Sequence, residues 1–393
     1  MGPLAGVRVV ECGEHVSAPY AARLLGDLGA DVVKVESPDG DGSRRHGPFP
    51  GAPDPEASGL FHALNFNKRG VVLDVGSQAG REDLHRLLAD ADVFLTNAEP
   101  AARRALGLDA PALLARHPGL VAVAVTPWGD DGPYADARGC SLTACAISGA
   151  SWAIGRPGRP PLTLPFDLAD YVAGANAAAA ALAAVLAVRR GGPGQSVDVA
   201  VADVIAAFIS VNSRIYVPYG RPWARAGRRA SGSGGTYPYT ILPCRDGYVA
   251  LIGRSRRDWR NILAALGDPP WGQEEEFADP LRIARERADE ADALLTAWFA
   301  TRSRAELFAI AREHGLALAP IRSVAEVLQE PQFRERGLFV DPLEVGEASF
   351  TPPRASYAFS GSDLGTSVRP APRLGQHSAE VLGVCGAGQE VLR

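Results

Sequence analysis

Lysine and methionine are almost absent from this 393-residue sequence: Lys34 and Lys68 are the only lysines, and Met1 is the only methionine. Arginine supplies the remaining basic side chains, which indicates a compositional bias rather than a function. The net charge is −5, so no global positive field favours binding to nucleic acid. An anionic ligand must therefore be bound by local positive charge.

Cysteine pairs and histidine clusters are also missing. The five cysteines form no CxxC motif, which argues against a disulfide framework and against a zinc site. The seven histidines show no ligand spacing, so we predict no metal site. The N-terminus has no basic segment followed by an apolar one. We therefore predict no signal peptide and expect a cytoplasmic protein.

Long apolar runs are absent as well. The longest run, Ala177–Val188, is mostly alanine and too short to span a bilayer, so we predict an interior helix and no membrane partner. The chain is 46% hydrophobic and 22% charged, as in soluble globular proteins. At about 100–200 residues per domain, its length allows two or three domains.

The sequence does contain a regular alternation of strand and helix patterns. Strands are predicted at Val7–Cys12, Asp31–Glu36, Val71–Val75, Asp92–Thr96, Leu120–Thr126 and Ser196–Val201. Helices are predicted at Ala18–Leu28, Gly80–Ala89 and from Asp170 to about Arg190. Strand–helix–strand units imply right-handed crossovers and a parallel sheet, so the fold class is α/β.

The pattern changes at 221–235, which is rich in Arg, Gly and Ser and reads as a linker between a first part at 1–220 and a second at 236–330. The second part begins with a hairpin around Asp246-Gly247 and continues with helices, which predicts a smaller α+β domain. The tail at 331–393 lacks a core of its own, and we expect it to return to the first domain.

The first strand–helix turn, Gly13–Pro19, is the natural ligand site of such a sheet. Backbone N–H groups at the helix start suit a phosphate. The glycine motif of dinucleotide-binding proteins is absent, so a nicotinamide enzyme is disfavoured. Glu36 is either a ribose ligand or, with Lys34, an exposed strand-end residue. A lone histidine such as His15 more often lies on the surface than in a catalytic centre.

Asp170 precedes a nearly charge-free helical stretch. Asp is a favoured helix N-cap, and that is the simplest interpretation of this residue. The alternative is a nucleophile, because a carboxylate attacks activated acyl groups. The glycine-rich stretch that includes Gly232, Gly234 and Gly235 is either a linker or a lid.

Several segments, in their order along the whole chain, resemble the class III CoA-transferases, the group of formyl-CoA transferase, carnitine CoA-transferase and 2-methylacyl-CoA racemase. They are Leu4–Val9, Gly29–Glu36, Asn67–Arg69, Gly132–Tyr134, Asp170-x-x-x-Gly174, Gly194–Val199, Asp246–Tyr248 and Leu374–His377. The resemblance implies a Rossmann-like large domain formed by both chain ends, a smaller domain, and an interlocked homodimer. It also implies that CoA passes from an acyl-CoA to a small carboxylic acid.

The resemblance assigns roles to individual residues. Asp170 matches the family's nucleophilic aspartate, which forms an acyl anhydride and then a CoA thioester, whereas Asp167 does not match the motif. Coenzyme A is then a substrate, and no permanently bound cofactor is implied. Residues at or beside positions that resemble CoA contacts are Val16, Ser17, Leu73, Asp74, Val75, Gly76, Asn97, Ala98 and Arg138. Arg104 is a further candidate, because it precedes by one residue the position, Ala105, where the family usually has an arginine. Gly232–Gly235 matches a lid of formyl-CoA transferase.

Departures from the family pattern keep alternatives open. The racemase branch carries a histidine and an aspartate where this chain has Cys140 and Ser141, so α-carbon epimerisation is disfavoured. Ser37 and Ala105 stand where relatives have arginine, and Arg44 or Arg45 is a candidate to compensate at the CoA phosphates. The alternatives to a CoA-transferase are an acyl-CoA racemase and a catalytically inactive CoA-binding protein.

Overall fold

A computed structural model describes residues 2–208, 220, 225–229, 236–345, 348–362, 364 and 368–383. The chain divides into two compact units. The first unit draws on Met1–Ser148, Leu164–Phe208 and Pro331–Arg393, and the second on Gly149–Thr163 and Ile209–Glu330. The glycine-rich stretch with Gly232, Gly234 and Gly235 lies outside the described residues.

The centre of the first unit is a six-stranded parallel sheet, as the sequence predicts. Its strands are β1 (Arg8–Cys12), β2 (Asp31–Glu36), β3 (Arg69–Val72), β4 (Val93–Thr96), β5 (Val121–Thr126) and β6 (Gln195–Ala200). They lie in the order β3-β2-β1-β4-β5-β6. Valine dominates several of these strands because both faces of a parallel sheet are covered, and β5 is buried along its whole length.

Helices surround this sheet. They are α1 (Ser17–Asp27), α2 (Gly59–Asn65), α3 (Gln78–Leu88), α4 (Pro100–Leu106), α5 (Ala110–Arg116), α6 (Ser141–Ile147), α8 (Leu168–Arg189) and α9 (Val201–Phe208). The short α7 (Ala150–Ala153) belongs to the second unit. The order in which successive strands are added to the sheet switches sides between β1 and β4, and ligands bind at such a switch point in sheets of this kind.

Helix α8 packs on α1 and on the sheet. Its alanine-rich face is fully buried at Ala173, Ala177 and Ala181. The helix extends beyond the apolar run at both ends, and its 22 residues span about 33 Å. By length and composition alone this helix could cross a membrane, although the apolar run Ala177–Val188 within it is too short to do so.

The C-terminal segment packs on the first unit. The backbone N–H of Asn67 donates to the carbonyl of Arg369, and the N–H of Gly70 donates to His377 Nδ1 at 3.0 Å. These bonds bring the tail against β3, the edge strand of the sheet. The tail contributes α15 (Pro331–Glu335), the hairpin of β10 (Leu343–Val345) and β11 (Ala348–Phe350), and α16 (Ser378–Leu382). The helix before the tail is α14 (Val324–Val327).

The second unit holds a three-stranded antiparallel sheet of β7 (Tyr239–Cys244), β8 (Gly247–Ile252) and β9 (Ala317–Pro320), in that order. Its helices are α10 (Arg256–Ala265), α11 (Pro280–Arg282), α12 (Ala288–Phe299) and α13 (Arg304–His314). A π-helical turn, Ile283–Arg287, joins α11 to α12. The predicted Asp-Gly hairpin is present, with Gly247 in the left-handed half of φ space. Trp259 and Leu295 lie in its hydrophobic core.

Candidate active site

The turn between β1 and α1 has its backbone N–H groups already bonded to protein side chains. Gly13 donates to Glu11 at 2.9 Å, Glu14 to Asn97 at 2.9 Å, and His15 to Asp41 at 3.1 Å. These donors are therefore not available to a phosphate. Helix α1 itself begins without a side-chain cap, so its first-turn N–H groups are the donors left for an anion.

Glu36 and Lys34 are both buried, so the interpretation of them as exposed residues is wrong. Arg44 holds Glu36 with two bonds of 2.7 and 2.8 Å, and this carboxylate is not free for a ribose hydroxyl. Arg44 is itself buried and bonds the carbonyl of Pro372 as well. Its guanidinium is thus engaged with groups of the protein itself, whereas Arg45 is exposed.

Asn97 connects the end of β4 to the first turn. Its side-chain amide donates to the carbonyl of Glu14 at 2.7 Å and to Ser17 Oγ at 3.2 Å. Two residues that resemble CoA contacts, Ser17 and Asn97, therefore touch each other. A side chain at position 13 would come within 2.9 Å of the Asn97 oxygen, which is why only glycine fits there.

Residues 73–76 leave the sheet earlier than the sequence predicts, since β3 ends at Val72. The Asp74 side chain accepts the N–H of Gly76 at 3.0 Å and so forms a tight turn before α3. Asp74 and Gly76 are exposed and Val75 is partly buried. Leu73 is buried in the hydrophobic core, so its side chain faces away from solvent.

The two predicted arginine contacts are both on the surface. Arg104, on α4, forms an ion pair with Asp136 at 2.5 Å. Arg138 is exposed, as is Ala98, whose N–H donates to Thr96. Together with the residues above, they follow the carboxyl ends of β1, β3, β4 and β5, which meet at one edge of a parallel sheet.

Asp170 lies in the first turn of α8, but it is not the helix cap. The helix begins at Leu168 and its N-cap is Asp167, so the N-cap interpretation of Asp170 is wrong. Phe166 and Asp167 both have positive φ angles, of 54° and 52°. This left-handed turn places the N-cap three residues before Asp170.

The Asp170 carboxylate is partly buried, and no hydrogen bond or ion pair to it occurs among the residues that the structure describes. Burial, and secondarily the negative charge of Asp167, raises its pKa to about 6. A carboxyl group with this pKa is still ionised at neutral pH. It is also more basic than an exposed aspartate, which favours attack on a carbonyl carbon.

Gly174 explains how Asp170 comes to lie beside the turn between β1 and α1. A Cβ atom at position 174 would lie 2.5 Å from the carbonyl oxygen of Ser17. Glycine therefore lets α8 approach the start of α1 closely, and Asp170 stands one helical turn away on the same face. The sequence spacing Asp-x-x-x-Gly thus has a packing reason that places a carboxylate beside the turn.

Some residues of this region were missed by sequence reasoning. Tyr20 and Tyr171 contact each other edge to face, with centroids 4.9 Å apart, next to Gly174 and Asp170. Glu11 and Asp41 lie beneath the turn. Glu11 stands opposite Lys34 in the parallel register, so two charges inside otherwise apolar strands were the signal that could have revealed it.

Comparison with known proteins gives one consistent result. The model of CoA-transferase family III matches residues 4–378. The chain is 31% identical over 385 residues to the succinate–glutarate CoA-transferase of Agrobacterium fabrum, covering 97% of this chain and 95% of that protein. It is 33% identical over 382 residues to a subunit of the succinyl-CoA:(R)-benzylsuccinate CoA-transferase of Thauera aromatica, covering 94% and 91%.

A solved structure agrees. The crystal structure of a CaiB/BaiF family protein from Brucella suis superposes with a TM-score of 0.86 at 31% identity, covering 97% of this chain and 99% of that one. The family resemblance inferred from the sequence motifs is confirmed. The chain therefore belongs to CoA-transferase family III and is an enzyme that transfers CoA between an acyl-CoA and an acid.

Proposed function

We propose that this CoA-transferase works through a covalent intermediate on Asp170. A carboxylate oxygen of Asp170 attacks the thioester carbonyl, the C–S bond breaks, and CoA thiolate leaves behind an aspartyl–acyl anhydride. The thiolate then attacks the aspartyl carbonyl and releases the donor acid as its carboxylate. The acceptor carboxylate attacks the resulting aspartyl-CoA thioester, and the freed thiolate takes the acyl group from the second anhydride.

The observation that carries this proposal is the partly buried carboxylate of Asp170, which has no polar partner within the described part of the chain and lies one helical turn from Gly174, which packs on the start of α1. An anhydride conserves the reactivity of the thioester, so the transfer needs no nucleotide triphosphate. Partial exclusion of water strengthens the nucleophile and protects the anhydride from hydrolysis.

The CoA moiety is proposed to lie along the carboxyl edge of the sheet. Val16 and Ser17 border the uncapped start of α1, and Asn97 holds this turn to β4. Asp74, Gly76 and Ala98 are exposed at the same edge, with Leu73 and Val75 beneath or beside them. Arg104 and Arg138 are the candidates for the phosphate groups.

Family membership also supports a proposal for the assembly and the substrate. We propose two domains, with the large one built from both chain ends, in an interlocked cytoplasmic homodimer of about twice 41.3 kDa. Size-exclusion chromatography with light scattering measures that mass. Two relatives are named for succinate or succinyl-CoA, so succinyl-CoA is the first donor to test.

Trapping the intermediate tests the mechanism. The enzyme is incubated with succinyl-CoA, treated with hydroxylamine or borohydride, digested, and mapped by mass spectrometry. We expect the modification on Asp170 in the wild type and in Asp167→Asn, and none in Asp170→Asn. Modification of another residue, or full turnover by Asp170→Asn, contradicts the proposal. Deuterium exchange at the α-carbon without an acceptor acid would indicate a racemase, and CoA binding without turnover an inactive binding protein.

A further inference from the structure

The only two lysines of the chain meet in one buried network. Lys34 Nζ lies 2.8 Å from Asp41 and 3.2 Å from Glu11 Oε1. Lys68 Nζ lies 3.1 Å from Glu11 Oε2 and 2.7 Å from the side-chain oxygen of Asn65. The two cations and two carboxylates balance, and the charged side chains are all nearly inaccessible to solvent.

The network bonds directly to the backbone of the turn between β1 and α1. Lys34 donates to the carbonyl of Gly13 at 3.0 Å, while Glu11 accepts the N–H of the same residue. Asp41 accepts the N–H of His15, whose φ is +56°. Lys68 donates to the carbonyl of Pro19 at 2.8 Å. The turn is thus fixed at its start, at its left-handed residue and inside the first turn of α1.

The geometry requires lysine rather than arginine. Each ammonium group contacts at least three acceptors that converge on one nitrogen from different directions. An ammonium is a compact charge with three donors, whereas the donors of a guanidinium lie in one plane. The chain otherwise uses arginine for its basic side chains, but at these two positions a planar guanidinium would not meet the same acceptors.

A buried ionic cluster is not an efficient source of stability, because burial of the charges costs about as much free energy as their attraction returns. What this cluster adds is geometric: it holds the backbone of the turn in one conformation. We propose that Lys34 and Lys68 are positioning residues for acyl-CoA binding, which hold the backbone of the turn, with the buried Val16 and Ser17, and the start of α1 in the conformation that binds the ligand. This inference rests on the proposed placement of CoA.

The electrostatics of the two lysines differ. Burial lowers the pKa of Lys68 to about 8, in spite of the opposing charge of Glu11. Burial also acts against the charge on Lys34, but Asp41 and Glu11 together outweigh it and raise its pKa. Lys34 is therefore a fixed cation at every working pH, and Lys68 carries the charge that is most sensitive to its surroundings.

The experiment compares Lys34→Arg, Lys68→Arg and the charge-balanced double variant Lys68→Met with Glu11→Gln. Arg69→Met is the matched control, because Arg69 is the next residue after Lys68 but pairs with Asp31 and Glu380 instead. Circular dichroism and thermal melting establish that each variant is folded. The kinetic readout is KM for succinyl-CoA against kcat with one acceptor acid.

For each folded lysine variant we expect KM for acyl-CoA to rise at least about tenfold, the size of one lost positioned contact, with kcat changed far less. Arg69→Met should leave KM unchanged. An unchanged KM in a folded lysine variant overturns the inference, since a purely structural role would change melting but not substrate affinity. If the wild type neither binds nor turns over acyl-CoA, the proposed function fails instead.

A second measurement does not depend on any variant folding. Because the chain has two lysines, isotopically labelled lysine gives NMR signals from only two side chains in the wild-type protein. Saturation with CoA should shift the signals of both, since the ligand lies on the turn that they hold. Signals that stay unchanged while calorimetry shows CoA binding overturn the inference.

Discussion

Gly174 on α8 lies against the backbone carbonyl of Ser17, so close that a methyl group there would sit 2.5 Å from the oxygen. Gly174→Ala must therefore push α8 away from α1 and move Asp170. We expect a loss of about 1–3 kcal/mol in stability from overpacking and a fall in kcat of roughly a hundredfold, as for a small misplacement of a reacting group. Urea unfolding and steady-state kinetics measure the two effects.

Ala179→Gly is the control for this prediction. Ala179 is exposed on the same helix, and glycine there costs about 1 kcal/mol in helix propensity without a steric conflict. It should lower stability while leaving kcat near the wild-type value. Equal losses of activity in the two variants would mean that helix stability, and not the position of Asp170, limits the rate.

The pH dependence of turnover should report the ionisation of Asp170. Burial and the charge of Asp167 raise its pKa to about 6, and the ionised form is the nucleophile. Below this pH, kcat/KM should fall about tenfold per pH unit, because the carboxylate fraction falls by that factor. Above about pH 7 the profile should be flat with respect to this group.

The variant Asp167→Asn tests the direction in which the pKa of Asp170 shifts. Removing the neighbouring negative charge stabilises the ionised form of Asp170, so the acidic limb should move to lower pH. A shift to higher pH, or an unchanged profile with a midpoint near 4, would show that Asp170 is not in the environment described above. The measurement is a profile of kcat/KM from pH 4.5 to about 8 in buffers of constant ionic strength.

The parallel sheet was predictable because its strands are short apolar runs separated by helix patterns, and this signal is local. The end of β3 was not, since Leu73 and Val75 continue an apolar pattern that the Asp74 turn interrupts. The start of α8 was predicted wrongly for a different reason. Phe166 and Asp167 adopt left-handed backbone conformations, which side-chain-bearing residues disfavour and no local pattern announces.

Counter-charges supplied by tertiary contacts account for the other errors at the site. Lys34 and Glu36 look like strand-end surface residues until Asp41, Glu11 and Arg44 fold over them. Burial of a charge depends on where its counter-charge arrives, and that is a property of the tertiary structure. Family motifs single out Asp170 as a position of interest, but they do not describe its surroundings.

The buried carboxylate of Asp292 should contribute more to the stability of the second unit than the exposed carboxylate of Asp289 on the same helix. Asp292 is fully buried and accepts bonds from Arg228, Arg229 and the Tyr237 hydroxyl. Asp292→Ala leaves these donors without their acceptor and should destabilise the unit by about 3 kcal/mol. Urea unfolding monitored by tryptophan fluorescence measures this, because Trp259, Trp271 and Trp298 all belong to this unit.

Asp289, one turn earlier on α12, also bonds Arg229 but is almost fully exposed. Asp289→Ala should therefore cost less than about 1 kcal/mol. If both variants lose the same stability, the burial of Asp292 contributes nothing, and the arginines find other acceptors in its absence.

The pair Arg104–Asp136 tests the placement of the CoA phosphates. Arg104 is exposed and forms an ion pair with Asp136 at 2.5 Å. A phosphate bound to Arg104 must therefore compete with this carboxylate. Asp136→Asn removes the competitor, and we expect KM for acyl-CoA to fall about two- to fivefold, an effect that salt should weaken because exposed charges are screened. Arg104→Met should raise KM instead. If neither substitution changes KM, Arg104 does not contact CoA, and Arg138 becomes the remaining candidate from the family motifs.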